Sequence, residues 1–374
     1  MNILGYARPD GQIGIRNKVS IIFTVDCSRY VAQKLKTLFP EGTQIFGNPG
    51  GCGFSDGAFN KLIALGNHSS SAAAIIVGLG CEGTDAYALA DAIAKTGRPV
   101  EALKINEEGG DIKLIENGSR VLAKLLQVAS GVERVPMSPG DLIVGTECGG
   151  SDATSGLASN PITGVAGDML VQAGGTYMIS EASELMGCSD ILAARAIDAA
   201  AAADVRAIIT EAEEQSFKSG RFAWGYGNIM GGLTSIEEKS YGALAKSGVS
   251  PVQGVLRTYG LPPRTGFWLQ AGEPGSGWFH GDPEGINQFA ACGAHIGLFT
   301  TGCGSTTGGL IPVIKVIGNP TRMQLIADNA DFDSTPIIRG EATIKAMGEQ
   351  LYAQILAVAA GKLTKSEVYG HYEV

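Results

Sequence analysis

A near-continuous β-branched and apolar run, Val19 to Val25, stops at Asp26-Cys27-Ser28 and gives way to a helix from about Arg29 to Phe39. The alternation then repeats. Thr43 to Phe46 leads into Asn48-Pro49-Gly50-Gly51-Cys52-Gly53 and a helix through Ala58 to Leu65. Ala72 to Leu79 ends in Gly80-Cys81-Glu82-Gly83 before a helix from Asp85 to about Lys95, and Val100 to Ile105 precedes an amphipathic helix over Ile112 to Val128. Apolar runs with no polar face are strands buried on both sides, and strand alternating with helix predicts a doubly wound parallel sheet. In such a sheet the strand carboxyl ends share one edge, which brings Cys27, Cys52 and Cys81 to one rim.

The same pattern resumes after Glu133 to Gly140, which reads as a linker because Pro136, Pro139 and Gly140 interrupt it. The strand Asp141 to Val144 runs into Glu147-Cys148-Gly149-Gly150-Ser151-Asp152, where a thiol, two carboxylates and a hydroxyl crowd a glycine-rich turn. A helix carrying Ala166, Met169, Leu170 and Val171 on its apolar face follows, then Gly174-Gly175 and the strand Thr176 to Ile179. A polar loop between a parallel strand and the next helix is where α/β folds place ligands. Further on, the pattern predicts a long helix over Asp190 to Gln215 and a glycine- and proline-rich lid over Gly260 to Gly285, with Trp268, Trp278, Phe279 and His280. A hydroxyl-rich loop, Phe299 to Gly309, a strand over Ile311 to Ile317, a last long helix over Gly340 to Ala360 and a polar tail complete the chain. The expected fold is α/β: a doubly wound, Rossmann-like N-terminal domain with cysteine-bearing loops over residues 1–133, and a second, larger α/β catalytic domain over 134–374.

Composition narrows the function. A formal charge of −9 without basic runs argues against nucleic acid or an anionic membrane as partner. The apolar runs are too short to span a bilayer and no basic-then-apolar leader precedes Asn2, so a cytoplasmic protein is expected. The 7 cysteines lie mostly in turns with no disulfide spacing, which in a reducing compartment points to metal binding or catalysis. With 54 glycines and 17% charged residues, broad buried surfaces and a homo-oligomer are expected. No G-x-G-x-x-G follows the first strand, against a nucleotide-binding oxidoreductase. Thr234 or Ser235 with Glu237 or Glu238 reads equally as a helix cap with a solvated first turn or as a group of substrate and proton-transfer residues.

The blocks GYARPDGQIGIRN, DCS, GGCG, GLGCE, ECGGSDATSGLASNP, GNIMGGLTSIEEKS and FTTGCGS, in that order, resemble the altronate and galactarate dehydratase family, which includes the large subunit of sulfolactate sulfo-lyase. The resemblance covers nearly the whole chain. It implies an iron-dependent hydro-lyase, holding Fe2+ or an iron–sulfur cluster and acting on a sugar acid or small anionic hydroxy acid. A sulfo-lyase and a non-catalytic binding protein of the same fold are the alternatives. It also implies a separate small subunit as partner. Topology and resemblance together make Cys27, Cys52, Cys81 and Cys148 the candidate metal ligands, with Cys303 able to join them. Dehydration needs a base for the proton beside the carboxylate and help for the leaving hydroxide. Lys239, Glu181 and Glu237 are the proton-transfer candidates, with His295 in reserve. Arg16, Asn17, Ser151, Asp152, Asn160, Asn228 and Thr301 are the substrate-binding candidates. The sequence departs from the pattern at Asn48 and Asp190, where histidines are expected, at Ile229, where a lysine is, and at Cys303, where an arginine is.

Overall fold

The computed structural model describes residues 3–180, 182–271 and 281–372. The chain forms two compact units, one ending at Met137 and joined by Tyr372, the other Ser138–His371. The first unit contains β1 (Ile3–Ala7), β2 (Ile13–Gly14), β3 (Lys18–Phe23), β4 (Thr43–Gly47), β5 (Ser71–Gly78), β6 (Val100–Lys104) and β7 (Arg134–Met137). Its main sheet is parallel, in the order β4-β3-β5-β6. The helices Asp26–Leu38 and Asp111–Ser130 pack Val31, Leu35, Leu114 and Leu122 against Val19, Ile21, Phe23, Ile75 and Val77. The alternate residue Ile22 faces the opposite side, where Gly66 and Ile93 of helices Asp56–Gly66 and Ala86–Ala94 meet it. Helices on both faces explain why β3 and β5 have no polar face.

Two stretches differ from expectation in this unit. Residues read as a linker form β7, which pairs antiparallel with β1 in a small sheet, β2-β1-β7, while the Arg134 guanidinium donates to the Leu4 carbonyl at 2.7 Å. The first long helix starts at Asp26, so Cys27 lies in its first turn.

The second unit is built on β8 (Ile143–Cys148), β9 (Thr176–Ile179), β10 (Val252–Leu256), β11 (Gly266–Gln270), β12 (Ile296–Thr301), β13 (Val313–Ile317) and β14 (Phe332–Asp333). They form one sheet in the order β10-β11-β9-β8-β12-β13-β14, with every pairing parallel. From β8 the chain moves to β9 on one side, and it later returns to β12 on the other and continues outward. Ligand crevices in open parallel sheets lie at such a reversal, here beyond the carboxyl ends of β8 and β12.

Local chemistry accounts for the other departures. The helix expected over Asp190 to Gln215 is two, Ser189–Ala193 and Ala199–Ser219, because Asp198 caps the second by accepting from the Ala201 N–H at 2.8 Å. Trp268, assigned to a lid, is buried in β11, while Trp278, Phe279 and His280 lie outside the described residues. The polar tail contains a helix, Lys365–Tyr369, capped by Thr364. Among the described residues no helix is long and apolar enough to cross a membrane.

Helix Asp282–Ala291 lies directly on β8, and a Cβ at Gly145 would stand 2.4 Å from the Phe289 ring. Gly145→Ala is therefore expected to lower the stability of this unit by about 1–3 kcal/mol. The measurement is its melting temperature, with Phe289→Leu in the same chain recovering part of the loss. An unchanged melting temperature would contradict this packing.

Candidate active site

The loops leaving β8 and β12 are tied to each other. The Gly149 N–H donates to the Thr300 carbonyl at 3.0 Å, and the Gly302 and Cys303 N–H groups donate to the Gly150 carbonyl at 3.0 and 3.1 Å. Thr301 closes the turn, its hydroxyl accepting from Cys303 and Gly304 N–H groups. Asn228 braces the other side, donating to the Ser151 carbonyl at 2.9 Å while its Oδ1 accepts from Gly225 N–H. Asp152 is wedged between Gly231 and Gly302, whose added Cβ atoms would come within 2.6 and 2.0 Å of it. Its carboxylate accepts from Thr154, from Ser155 and, at 2.7 Å, from the Asn319 amide. Asp152, Asn228 and Thr301, candidates for substrate binding, thus spend their polar atoms on holding the loop.

A cavity of about 290 Å³ opens beside this loop, and its lining includes Ser151, Asp152, Asn160, Leu157, Leu233 and Lys239. A π-helical turn, Ser155–Ser159, leads into helix Asn160–Gln172 and turns Asn160 toward the cavity wall. Lys239 comes from helix Ile236–Leu244. Ser235 caps that helix by accepting from Glu238 N–H at 3.2 Å, and Glu238 in turn accepts from the Thr234 N–H at 2.7 Å. Glu237 stays exposed in the first turn, so the structure gives it the solvated place and sends Lys239 inward.

Behind the cavity lies a buried charge cluster. Glu184, in the turn Ala182–Glu184 after β9, receives Lys239 Nζ on Oε1 at 2.6 Å and Lys246 Nζ on Oε2 at 3.2 Å. All three are buried, at 3%, 7% and 2% exposure respectively, and the Cys148 thiol donates to Glu184 Oε2 at 2.8 Å. Burial pushes the Glu184 carboxyl up, but Lys239 and then Lys246 outweigh it and hold the group well below the usual carboxylate range. Lys239 also donates to the Ala223 carbonyl. The turn bearing Lys246 is anchored by Tyr177, whose phenol donates to the Lys246 carbonyl at 2.9 Å and is pushed up to about 12 by burial. Glu184 and Lys246 are the residues that sequence reasoning missed. Their signal was present: a Ser-Glu pair just past a strand, and a second lysine two helical turns after Lys239 on the same face.

Other candidates lie elsewhere. Arg16 and Asn17 precede β3, at the sheet edge opposite Cys27 in their own unit. There Asn17 accepts from Arg8 at 2.9 Å and donates to the Ala129 carbonyl at 2.8 Å, and Arg8 also holds the Arg16 carbonyl at 2.9 Å. His295 sits at the amino end of β12 and accepts from the Ile143 N–H at 3.0 Å, the role of a core histidine. Glu181 lies outside the described residues.

Cys27, Cys52 and Cys81 are exposed at the carboxyl edge of the first unit's sheet, and the loops bearing the last two touch where Gly83 N–H donates to the Cys52 carbonyl at 2.8 Å. Cys148 is buried in the second unit, and Cys303 is half-buried there, its thiol raised by burial and by Asp152. Among the described residues no three His, Cys, Asp or Glu side chains are grouped to hold a metal ion. The three thiols of the first unit, as placed, do not make a grouped donor set for iron.

Comparisons with known proteins agree along the whole chain. Residues 140–374 match the family described as D-galactarate/Altronate dehydratase, C-terminal, and residues 5–130 match D-galactarate dehydratase/Altronate hydrolase, second domain. The chain is 34% identical to the (2R)-sulfolactate sulfo-lyase subunit beta of Chromohalobacter salexigens, covering 99% of this chain and 95% of that protein. It is 29% identical to the altronate dehydratase of Escherichia coli, covering 97% and 74%. It is 31% identical to the galactarate dehydratase (L-threo-forming) of the same organism, covering 77% and 56%.

The charge cluster predicts an acid-sensitive contribution to stability. Because the folded-state pKa of Glu184 is depressed, its contribution is full above the unfolded value of about 4.3 and is lost as pH falls from there toward the folded value. Glu184→Gln leaves two buried lysines without their counter-charge, and should cost about 3–5 kcal/mol near pH 7. The gap between wild type and variant should narrow below about pH 4.3. Urea denaturation at both pH values measures it, and a pH-independent gap would refute the ion-pair account.

Proposed function

The chain belongs to the D-galactarate/altronate dehydratase family, and from that membership we propose that it is a lyase that removes water β to the carboxylate of a small hydroxy acid. The observation that carries the chemistry is Lys239, which lines the cavity and shares Glu184 with Lys246. Burial disfavours the charged form of a lysine, and Lys239 is buried at the cavity wall. Without its proton Lys239 is a neutral amine beside the Lys246–Glu184 pair. Lys239 is the one of the two that lines the cavity, so its amine takes the proton from the carbon beside the substrate carboxylate. Glu184 orients that nitrogen and stabilises the ammonium as it forms. Ser151 is a hydroxyl donor in the lining for the substrate carboxylate, whose charge grows as the proton leaves. Leu157 and Leu233 lower the polarity around the reacting carbon.

A second reading, elimination of sulfite instead of water, is favoured by one observation: the alignment spans 95% of a protein named as a sulfolactate sulfo-lyase subunit beta. That name also supports a separate partner subunit, which we propose together with a homo-oligomer. Iron dependence is proposed on the family resemblance, and iron per chain in anaerobically purified protein measures it. Altronate, galactarate and sulfolactate, assayed for 2-oxo acid and for sulfite with iron(II) supplied, separate the two readings. Turnover of none of them would overturn both.

Lys239→Met should lower kcat by about 10²–10⁴. Lys239→Arg should be equally inactive, because a guanidinium keeps the charge but does not accept a proton at these pH values. Steady-state kinetics decide it. An active arginine variant would reduce Lys239 to an electrostatic role.

A further inference from the structure

Asn160 is 2% exposed, lines the cavity, and its side-chain Oδ1 has no hydrogen-bond partner. Its amide is not free to turn that atom away. Nδ2 donates to the Gly242 carbonyl at 2.8 Å, and a flipped amide would set oxygen against oxygen there. The carbonyl comes so near because helix Ile236–Leu244 approaches the π-helical turn at Gly156 and Gly242, where a Cβ on Gly156 would stand 3.1 Å from Gly242 Cα. A buried acceptor held in one orientation beside a cavity and left without a donor calls for a donor from the ligand.

We propose that Asn160 Oδ1 accepts a hydrogen bond from the hydroxyl next to the substrate carboxylate, and so restricts this site to 2-hydroxy acids. The proposal rests on the elimination reading above and adds the group that is recognised. An acceptor does not assist a departing hydroxide or sulfite, which gains negative charge and needs donors or protons. Of the groups on the two reacting carbons, the one suited to Oδ1 is a hydroxyl that keeps its proton until the bond to the leaving group has broken. In a β-elimination this is the hydroxyl on the carbon that loses its hydrogen. An acid lacking it leaves Oδ1 unpaired in the complex, the situation in which polar sites discriminate most strongly.

The test measures binding by calorimetry for two pairs of acids, each pair differing only at the 2-position: glycerate with 3-hydroxypropanoate, and 3-sulfolactate with 3-sulfopropanoate. Wild type should prefer the hydroxylated member of at least one pair by about tenfold or more. Asn160→Ala should reduce that ratio to near one; circular dichroism and melting temperature confirm that the variant folds. A ratio unchanged in Asn160→Ala, with turnover intact in wild type, overturns the proposal and leaves the elimination reading standing. A ratio lost in Asn160→Ala in a protein that turns over none of the acids supports the proposal and sinks the elimination reading. Equal binding of both members by wild type, or binding of neither, overturns the proposal.

Discussion

Glu184 accepts from two buried lysines, and that cluster organises the wall of the second unit's cavity. An isolated lysine at the wall of a dry cavity would either recruit water or lose its proton. A simple one-to-one ion pair would keep it charged. Glu184 accepts from both lysines, fixing the Lys239 nitrogen at the cavity wall through Oε1 and Lys246 through Oε2. The arrangement has structural requirements: Glu184 must follow β9 at the carboxyl edge, Lys239 and Lys246 must share a face, and Tyr177 must hold the turn of Lys246 from below. Breaking any one of these leaves an unpaired charge where water is excluded.

The loop after β8 shows how a glycine-rich turn can be polar for structural reasons. It has left the sheet, so its backbone groups have no ladder partners, yet much of it is buried. Those groups must be satisfied locally. Asp152 takes donors from the following turn and from Asn319, Thr301 takes two N–H groups, and Asn228 bridges to Ser151. Gly231 and Gly302 are required because a Cβ at either would overlap Asp152. The crowd of polar side chains is the loop's own scaffold, and it places Ser151 at the cavity.

The strands were legible where burial on both faces wrote continuous apolar runs, as at Val19 to Val25 and Ala72 to Leu79. The site was legible in part: Ser151, Asp152, Asn160 and Lys239 do line one cavity. What escaped was pairing between residues distant in sequence. Glu184 and Lys246 acquire meaning only when the carboxyl edge of β9 meets a helix of another segment. Short edge strands such as β7 and β10 carry too few residues to show a period, and the break near Asp198 is set by one cap inside an alanine-rich run that otherwise reads as a single helix.

Hydrogen-bond accounting separates residues that sequence placed in one class. Asp152 and Asn160 are both 2% exposed, both follow β8 and both line the cavity. The Asp152 carboxylate accepts from Thr154, Ser155 and Asn319, so a ligand would have to displace one of them at a cost comparable to the bond itself. Asn160 donates to Gly242 and leaves its buried acceptor without a protein donor. The same accounting applies to the charges: Lys246 lies away from the lining while Lys239 is in it, so two chemically identical side chains on one carboxylate differ in which can exchange a proton with a guest. Burial and residue type alone do not make that distinction; the hydrogen bonds each group makes do.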